Sequence, residues 1–141
     1  MKHFARTFLG IICFLLLGCE GYKHPNFPKV PVNFWVFPND VSYIDLNYYG
    51  GHMYFTGGIN GVVVYRLNAW DFTAFDRACP YDWDDENEPR VAVEKDGITL
   101  RCEQCGTLFN ILDGGVISGQ SRYPLKQYYT KFDGMRLRVH S

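Results

Sequence analysis

Beyond residue 33 the chain runs in short stretches of alternating apolar and polar positions, each closed by glycine, proline, asparagine or aspartate. That period-two pattern is the mark of half-buried strands. "NFWVF" stops at Pro38-Asn39-Asp40, "VSYIDL" near "NYYGG", and "HMYFT" at "GGING". "VVVYRL" then leads into "NAWD", and "FTAFD" into Cys79. In "VAVEKDGITLRC", Val91 and Val93 alternate, Asp96-Gly97 supplies residues that tolerate positive φ, and Ile98, Leu100 and Cys102 alternate again. This predicts a hairpin with a primed turn. "FDGMRLRV" predicts another turn between strands at Asp133-Gly134, and Gly50-Gly51 and Gly57-Gly58 read as further hairpin turns. No stretch sustains a helical period. Strands at short, regular spacing predict an all-β antiparallel sandwich or small barrel.

Composition supports a packed core, since 47% of the 141 residues are hydrophobic and 17% aromatic. One domain fits this length, and no boundary or repeat divides residues 33–141. Trp35, Phe37, Tyr43, Tyr54, Phe55, Tyr65, Phe72 and Phe75 lie on strand-like segments and read as core or cross-strand pairs. Tyr48-Tyr49 lies in a loop and reads as an exposed contact patch. A net charge of −1 leaves no electrostatic footprint for nucleic acid.

The N-terminus follows a different logic. Lys2 and Arg6 precede the apolar run "FLGIICFLLL", which is too short to span a bilayer, and Gly18 comes next. This is the pattern of a secretory signal. "LLGC" at 16–19 resembles the bacterial lipoprotein processing box, which implies removal of residues 1–18 and lipidation of Cys19. The chain is then expected in the cell envelope, anchored to a membrane through acyl chains rather than a helix. Residues 19–32 carry Pro25, Pro28 and Pro31 and read as an extended tether, or as an irregular first strand with Phe27 and Val30 docked.

Cys13 leaves with the signal and Cys19 takes the lipid, so three thiols remain: Cys79, Cys102 and Cys105. An odd number does not make a disulfide framework. Cys102 and Cys105 form a C-x-x-C-G knuckle whose glycine lets backbone N–H groups curl toward the sulfurs. A thioredoxin-type redox pair would open a helix, whereas "GTLFNILDGG" continues as strand and turn. There is no serine nucleophile elbow, phosphate-binding glycine loop or H-E-x-x-H. The acidic run "DWDDENE" reads as a solvated loop or, beside a metal, as a ligand source.

The segments "FDRACPYDW", "GITLRCEQCGTLFNILDGGVISGQSRYPLKQY" and "DGMRLRVHS" together resemble a Rieske domain over residues 60–141. That family carries C-x-H in a first loop and C-x-x-H in a second, with a hairpin between. The resemblance continues through Phe109, the Asp113-Gly114 turn and the loop at 119–125, where Gly119, Pro124 and Leu125 match the loop that covers the cluster. It implies a β-sandwich base with a small cluster-binding subdomain, and an electron-transfer component working with a redox or envelope partner. The departure lies in the ligands: Tyr81 and Cys105 stand at the two histidine positions. His3 leaves with the signal, and His24, His52 and His140 lie in neither loop. Three outcomes follow. A 2Fe–2S cluster is held by Cys79, Cys102 and Cys105 with an oxygen from Tyr81, Asp82 or Asp84, at a potential below that of a true Rieske centre. Or the three thiolates and one more ligand hold structural zinc. Or the fold has lost its metal and serves as an interaction module, two thiols paired and one left over.

Overall fold

The computed structural model describes His24 and residues 26–141; the signal segment and Cys19 lie outside the described residues. Among them are ten strands in two antiparallel sheets. The strands are β1 (Asn33–Val36), β2 (His52–Phe55), β3 (Val62–Arg66), β4 (Phe72–Asp76), β5 (Val91–Val93), β6 (Thr99–Cys102), β7 (Leu108–Asn110), β8 (Val116–Ser118), β9 (Gln127–Phe132) and β10 (Leu137–His140). The larger sheet runs β1-β10-β9-β4-β3-β2, and the smaller runs β5-β6-β7-β8. The all-β expectation holds, and the small sheet is the subdomain that carries the cysteine knuckle.

Each sheet covers its own core. Val36, Val62, Val64, Phe72, Leu137 and Val139 fill one beneath the large sheet. Val63, Phe75, Val91, Leu100, Phe109 and Ile111 fill the other between β3, β4 and the small sheet. The alternation of β3 explains the division: Val62 and Val64 enter one core, Val63 and Tyr65 the other. Cys79 and Cys102 belong to the second core. Tyr65, Phe72 and Phe75 are buried as expected, whereas Trp35 and Phe37 face outward. The Arg136 and Arg138 guanidinium groups lie over the Trp35 ring, at 4.6 and 5.8 Å from its centre.

Two local expectations are corrected. "VSYIDL" is a 3-10 helix, Val41–Leu46, whose start is capped where the Ser42 N–H donates to Asp40 Oδ1 at 2.8 Å. The apolar spacing that imitates a strand is met by a helix kinked at Tyr43, with Leu46 alone buried. At the 91–102 hairpin the turn is not a two-residue primed turn. It spans residues 94–97, with the Gly97 N–H donating to the Glu94 carbonyl at 3.0 Å and only Gly97 at positive φ. Asp96 instead accepts from the N–H groups of Ile98 and Thr99 and from the Thr99 hydroxyl, an anchoring that a primed turn would forfeit.

Among residues 26–32, Phe27 and Val32 pack on the domain. Val32 is buried and exchanges hydrogen bonds with Ser141, each at 2.8 to 2.9 Å, which continues the β1–β10 pairing by one step. The Phe27 ring meets Trp83 edge-on at 6.1 Å.

One carboxylate ties these parts together. Asp76 closes β4 and is fully buried. It accepts from the N–H groups of Ile59, Asn60 and Ala78 and, at 2.7 Å, from the Tyr128 hydroxyl. It thus joins the "GGING" turn, β9 and the loop that leads into Cys79. Gly58 has to be glycine here: its φ is +63°, and a Cβ would overlap the Asp76 carboxylate. Burial, followed by the bond to Asp76, pushes the Tyr128 phenol well above its ordinary range.

Two outcomes are expected. Tyr128→Phe should lower stability by about 1.5–3 kcal/mol, the scale of a buried hydrogen bond to a charged group, in urea unfolding at neutral pH. The unfolded phenol ionises near pH 10 while the folded one resists, so this part of the stability is complete below pH 10 and is lost as pH rises. Between pH 9 and 11 the parent should therefore lose stability more steeply than Tyr128→Phe.

Candidate metal centre

Two loops meet at one end of the small sheet. The first leaves β4 through Ala78, which bridges Arg90, and brings in Cys79, fully buried. The Asp82 N–H donates to the Cys79 carbonyl at 3.2 Å and closes a turn. That turn swings Asp82 inward, to 8% exposure, and leaves Tyr81 at 51%. The second loop joins β6 to β7. Cys102 ends β6, its N–H bonds the Thr107 carbonyl at 2.9 Å, and the Gly106 N–H returns to the Cys102 carbonyl at 3.1 Å. Gly106 has a φ of 71°, the left-handed backbone that lets the knuckle close over so few residues.

The loops bring four donor atoms together. The sulfurs of Cys79, Cys102 and Cys105 and a carboxylate oxygen of Asp82 all lie within 4.8 Å of one another. Cys79 Sγ is 3.7 Å from Cys105 Sγ, nearly twice the roughly 2.05 Å of a disulfide bond, and all three thiols are free. Cys102 Sγ lies 3.2 Å from Asp82 Oδ2. Of the oxygen donors the sequence offered, Asp82 therefore joins the sulfurs. Asp84 is not in the group, and both Tyr81 and Asp84 are exposed. The acidic run is more than a solvated face, since Asp85 accepts from the Gln104 amide at 2.8 Å and braces the two loops against each other.

Charge is distributed unevenly over the thiols. Hydrogen bonding from Cys79 holds the Cys102 pKa down to about 6 against the effect of burial, with the N–H groups of Cys105 and Gln104 assisting. Cys79 is pushed up as the donor of that pair and by burial, while the N–H groups of Tyr81 and Asp82 pull the other way. Burial and then Asp82 push Cys105 up, opposed by the Thr107 side chain and N–H. Backbone N–H groups thus act on each sulfur, those on Cys102 and Cys105 from the C-x-x-C-G knuckle and its next residue, and such contacts favour the thiolates that bind metals.

Thr107 was not legible as a site residue. It is fully buried, and its hydroxyl oxygen accepts from the N–H groups of Gln120 at 3.1 Å and Ser121 at 3.3 Å. With both lone pairs engaged, its proton is left for Cys105 Sγ, 3.1 Å away. One side chain therefore fixes both a sulfur and the covering loop. Gly119, with a φ of +117°, begins that loop, and a Cβ there would lie 2.6 Å from the Thr107 Cα. Leu125 is buried behind it and donates its N–H to the Gly114 carbonyl at 3.0 Å, while Pro124 is half-buried. The His24 ring lies edge-on to Tyr123, 4.6 Å away, and with Pro80, Tyr81 and the 120–123 segment it lines a shallow cleft beside the site.

No described histidine belongs to the donor group. His52 lies on β2 against Tyr54, its pKa lowered by burial, and His140 stacks on Tyr129. The two-cysteine, two-histidine set that holds a Rieske cluster is thus not what these residues form. Three thiols and one carboxylate round one point suit a metal, with donors of another kind.

The chain matches no protein-family model and no curated protein sequence. Its fold is similar to several solved structures, two of which follow. The cyanobacterial plasma membrane Rieske protein PetC3 from Synechocystis PCC 6803 superposes with a TM-score of 0.51 at 21% identity, over 64% of this chain and 86% of that one. The ferredoxin of carbazole 1,9a-dioxygenase from Nocardioides aromaticivorans IC177 gives 0.52 at 16% identity, over 79% of this chain and 97% of that one. At these identities the likeness establishes a Rieske-like fold, in agreement with the two sheets described above.

Thr107→Val should keep the fold while removing the proton aimed at Cys105 and the acceptor for the covering loop. Metal affinity, measured by competition with a coloured chelator, is expected to fall about 10–100-fold, the usual effect of removing a partner of a ligand. Thr107→Ser should restore most of it.

Proposed function

We propose that this chain is a lipid-anchored metalloprotein of the cell envelope, with a metal held by Cys79, Asp82, Cys102 and Cys105, and that it passes single electrons between envelope partners. The observation that carries this reading is the convergence of three thiols and one carboxylate at the end of the small sheet in a Rieske-like fold. Iron on such donors supplies a one-electron couple. The chain's own residues would enclose it: Cys79 and Cys102 are buried, and the 119–125 loop is pinned through Thr107, whose side chain contacts Cys105. All four donors become anionic on binding a metal, which lowers the potential relative to a centre with two imidazoles. None of them carries a second ring nitrogen, so no ligand proton accompanies the electron.

Anchoring rests on the "LLGC" box at 16–19. His24, which sits beside the metal loops, follows Cys19 by five residues (24 − 19), and so short a length of chain spans about 17 Å at most. A lipid at Cys19 therefore keeps the metal end close to the bilayer, within reach of a membrane-bound redox partner.

The enclosed donor set favours a second reading, structural zinc, since structural sites fill every position with protein ligands. The two readings part on purification without oxygen. Stoichiometric iron with reversible bleaching of its visible absorbance is the expected result. Colourless protein with stoichiometric zinc makes the site structural, and protein without metal overturns both. Separately, Cys19→Ser should move the chain from the membrane fraction to the soluble fraction; retention in the membrane would overturn lipidation.

A further inference from the structure

The fold suggests a two-iron cluster, and the donor atoms argue against one. A cluster with two irons divides its ligands into two pairs, one on each iron. Between the pairs it has to fit the separation of the irons and their bridging sulfides. In the Rieske pattern Cys79 and Cys102 share one iron, and the residues at positions 81 and 105 share the other. Here Cys79 Sγ and Cys105 Sγ, which that pattern assigns to different irons, are 3.7 Å apart.

The spacing is that of one tetrahedron. With metal–sulfur bonds of about 2.3 Å and metal–oxygen bonds of about 2.1 Å, tetrahedral geometry sets sulfurs about 3.8 Å apart and sulfur about 3.6 Å from oxygen. The observed separations are 3.7 Å between Cys79 and Cys105 and 3.2 Å between Cys102 and Asp82, and no pair in the group exceeds 4.8 Å. Core packing fixes two of the three sulfurs. Cys79 and Cys102 are packed into the second core with Val91, Leu100 and Phe109, and Thr107 stands against Cys105. Tyr81 is exposed, and Asp82 enters the donor group from the neighbouring position. A shift of the oxygen donor by one residue, together with a thiol in place of a longer imidazole, draws both histidine-derived corners toward the cysteine pair.

We infer that the site holds a single zinc or ferrous ion in a tetrahedral three-sulfur, one-oxygen set, with Asp82 as the fourth ligand, and no inorganic sulfide. This rests on the reading of the site as a metal centre and specifies its nuclearity. The closed set leaves no position for a substrate or water.

The test uses the full chain, purified in detergent without oxygen, by native mass spectrometry, metal analysis and an assay for acid-labile sulfide. One metal ion and no sulfide per chain is the expected result. Replacement by cobalt(II) should saturate at one equivalent with the intense visible bands of a tetrahedral thiolate site. Asp82→Asn should weaken cobalt binding by at least about tenfold, and Tyr81→Phe should leave it unchanged. Two irons with two sulfides per chain, or saturation at two equivalents, would overturn the single-ion site while leaving the metal centre standing. Loss of binding in Tyr81→Phe with none in Asp82→Asn would overturn the ligand assignment. Protein that takes up no metal would overturn both this inference and the functional reading. One zinc per chain supports the single-ion site and ends the electron-carrier reading alone.

Discussion

A buried carboxylate is tolerated only when its oxygens are fully bonded, and Asp76 meets that condition by recruiting backbone N–H groups from two places and the Tyr128 hydroxyl from a third. The pairing of β4 with β3 and β9 already brings the "GGING" turn, the exit of β4 and strand β9 near one another, and Asp76 ties them at one point. The first metal loop begins two residues beyond Asp76, at Ala78, whose N–H is one of the four donors. The position of Cys79 is thus set from the base of the fold, through a polar contact whose loss would leave several buried N–H groups without partners. The second loop gets its position differently, from the β6–β7 register and the bond from the Cys102 N–H to the Thr107 carbonyl. The candidate centre forms where a hydrogen-bonded anchor and a hairpin turn are brought together by the second hydrophobic core.

Much of this architecture was legible in the chain. The alternation of Val91, Val93, Leu100 and Cys102 identified the hairpin, and the C-x-x-C-G spacing identified the knuckle, because both depend on neighbours in sequence. The 3-10 helix was hidden because its apolar residues happen to fall at strand spacing, and only the cap at Asp40 distinguishes it. The primed turn at Asp96-Gly97 was a plausible local choice, but the Asp96 side chain finds more partners in the longer turn. Thr107 and Asp76 escaped notice for another reason. Their importance comes from residues far along the chain, Gln120 and Ser121 for one and Tyr128 for the other. Nothing in a single sequence marks a threonine next to a knuckle as a junction.

The choice among Tyr81, Asp82 and Asp84 shows the same limit on a finer scale. Matching positions to a family pattern selects Tyr81, whereas the turn closed by Asp82 N–H on the Cys79 carbonyl presents the next side chain instead. A one-residue change of presentation alters the donor type, the charge and the span of the site together. The fold is therefore a weaker guide to the chemistry than the local turn is.

The hydroxyl of Thr107 is held on three sides, by two N–H donors and the sulfur it serves. Such a dipole has no rotational freedom left to respond with. If the charge beside Cys105 changes by one electron, this group neither turns nor recruits water, and the surrounding N–H groups of the knuckle are bound by the same backbone closure. On the proposed reading, an environment already oriented toward negative sulfur would keep the reorganisation energy of electron exchange small. The rate of such an exchange would then be governed mainly by the distance and orientation of a partner.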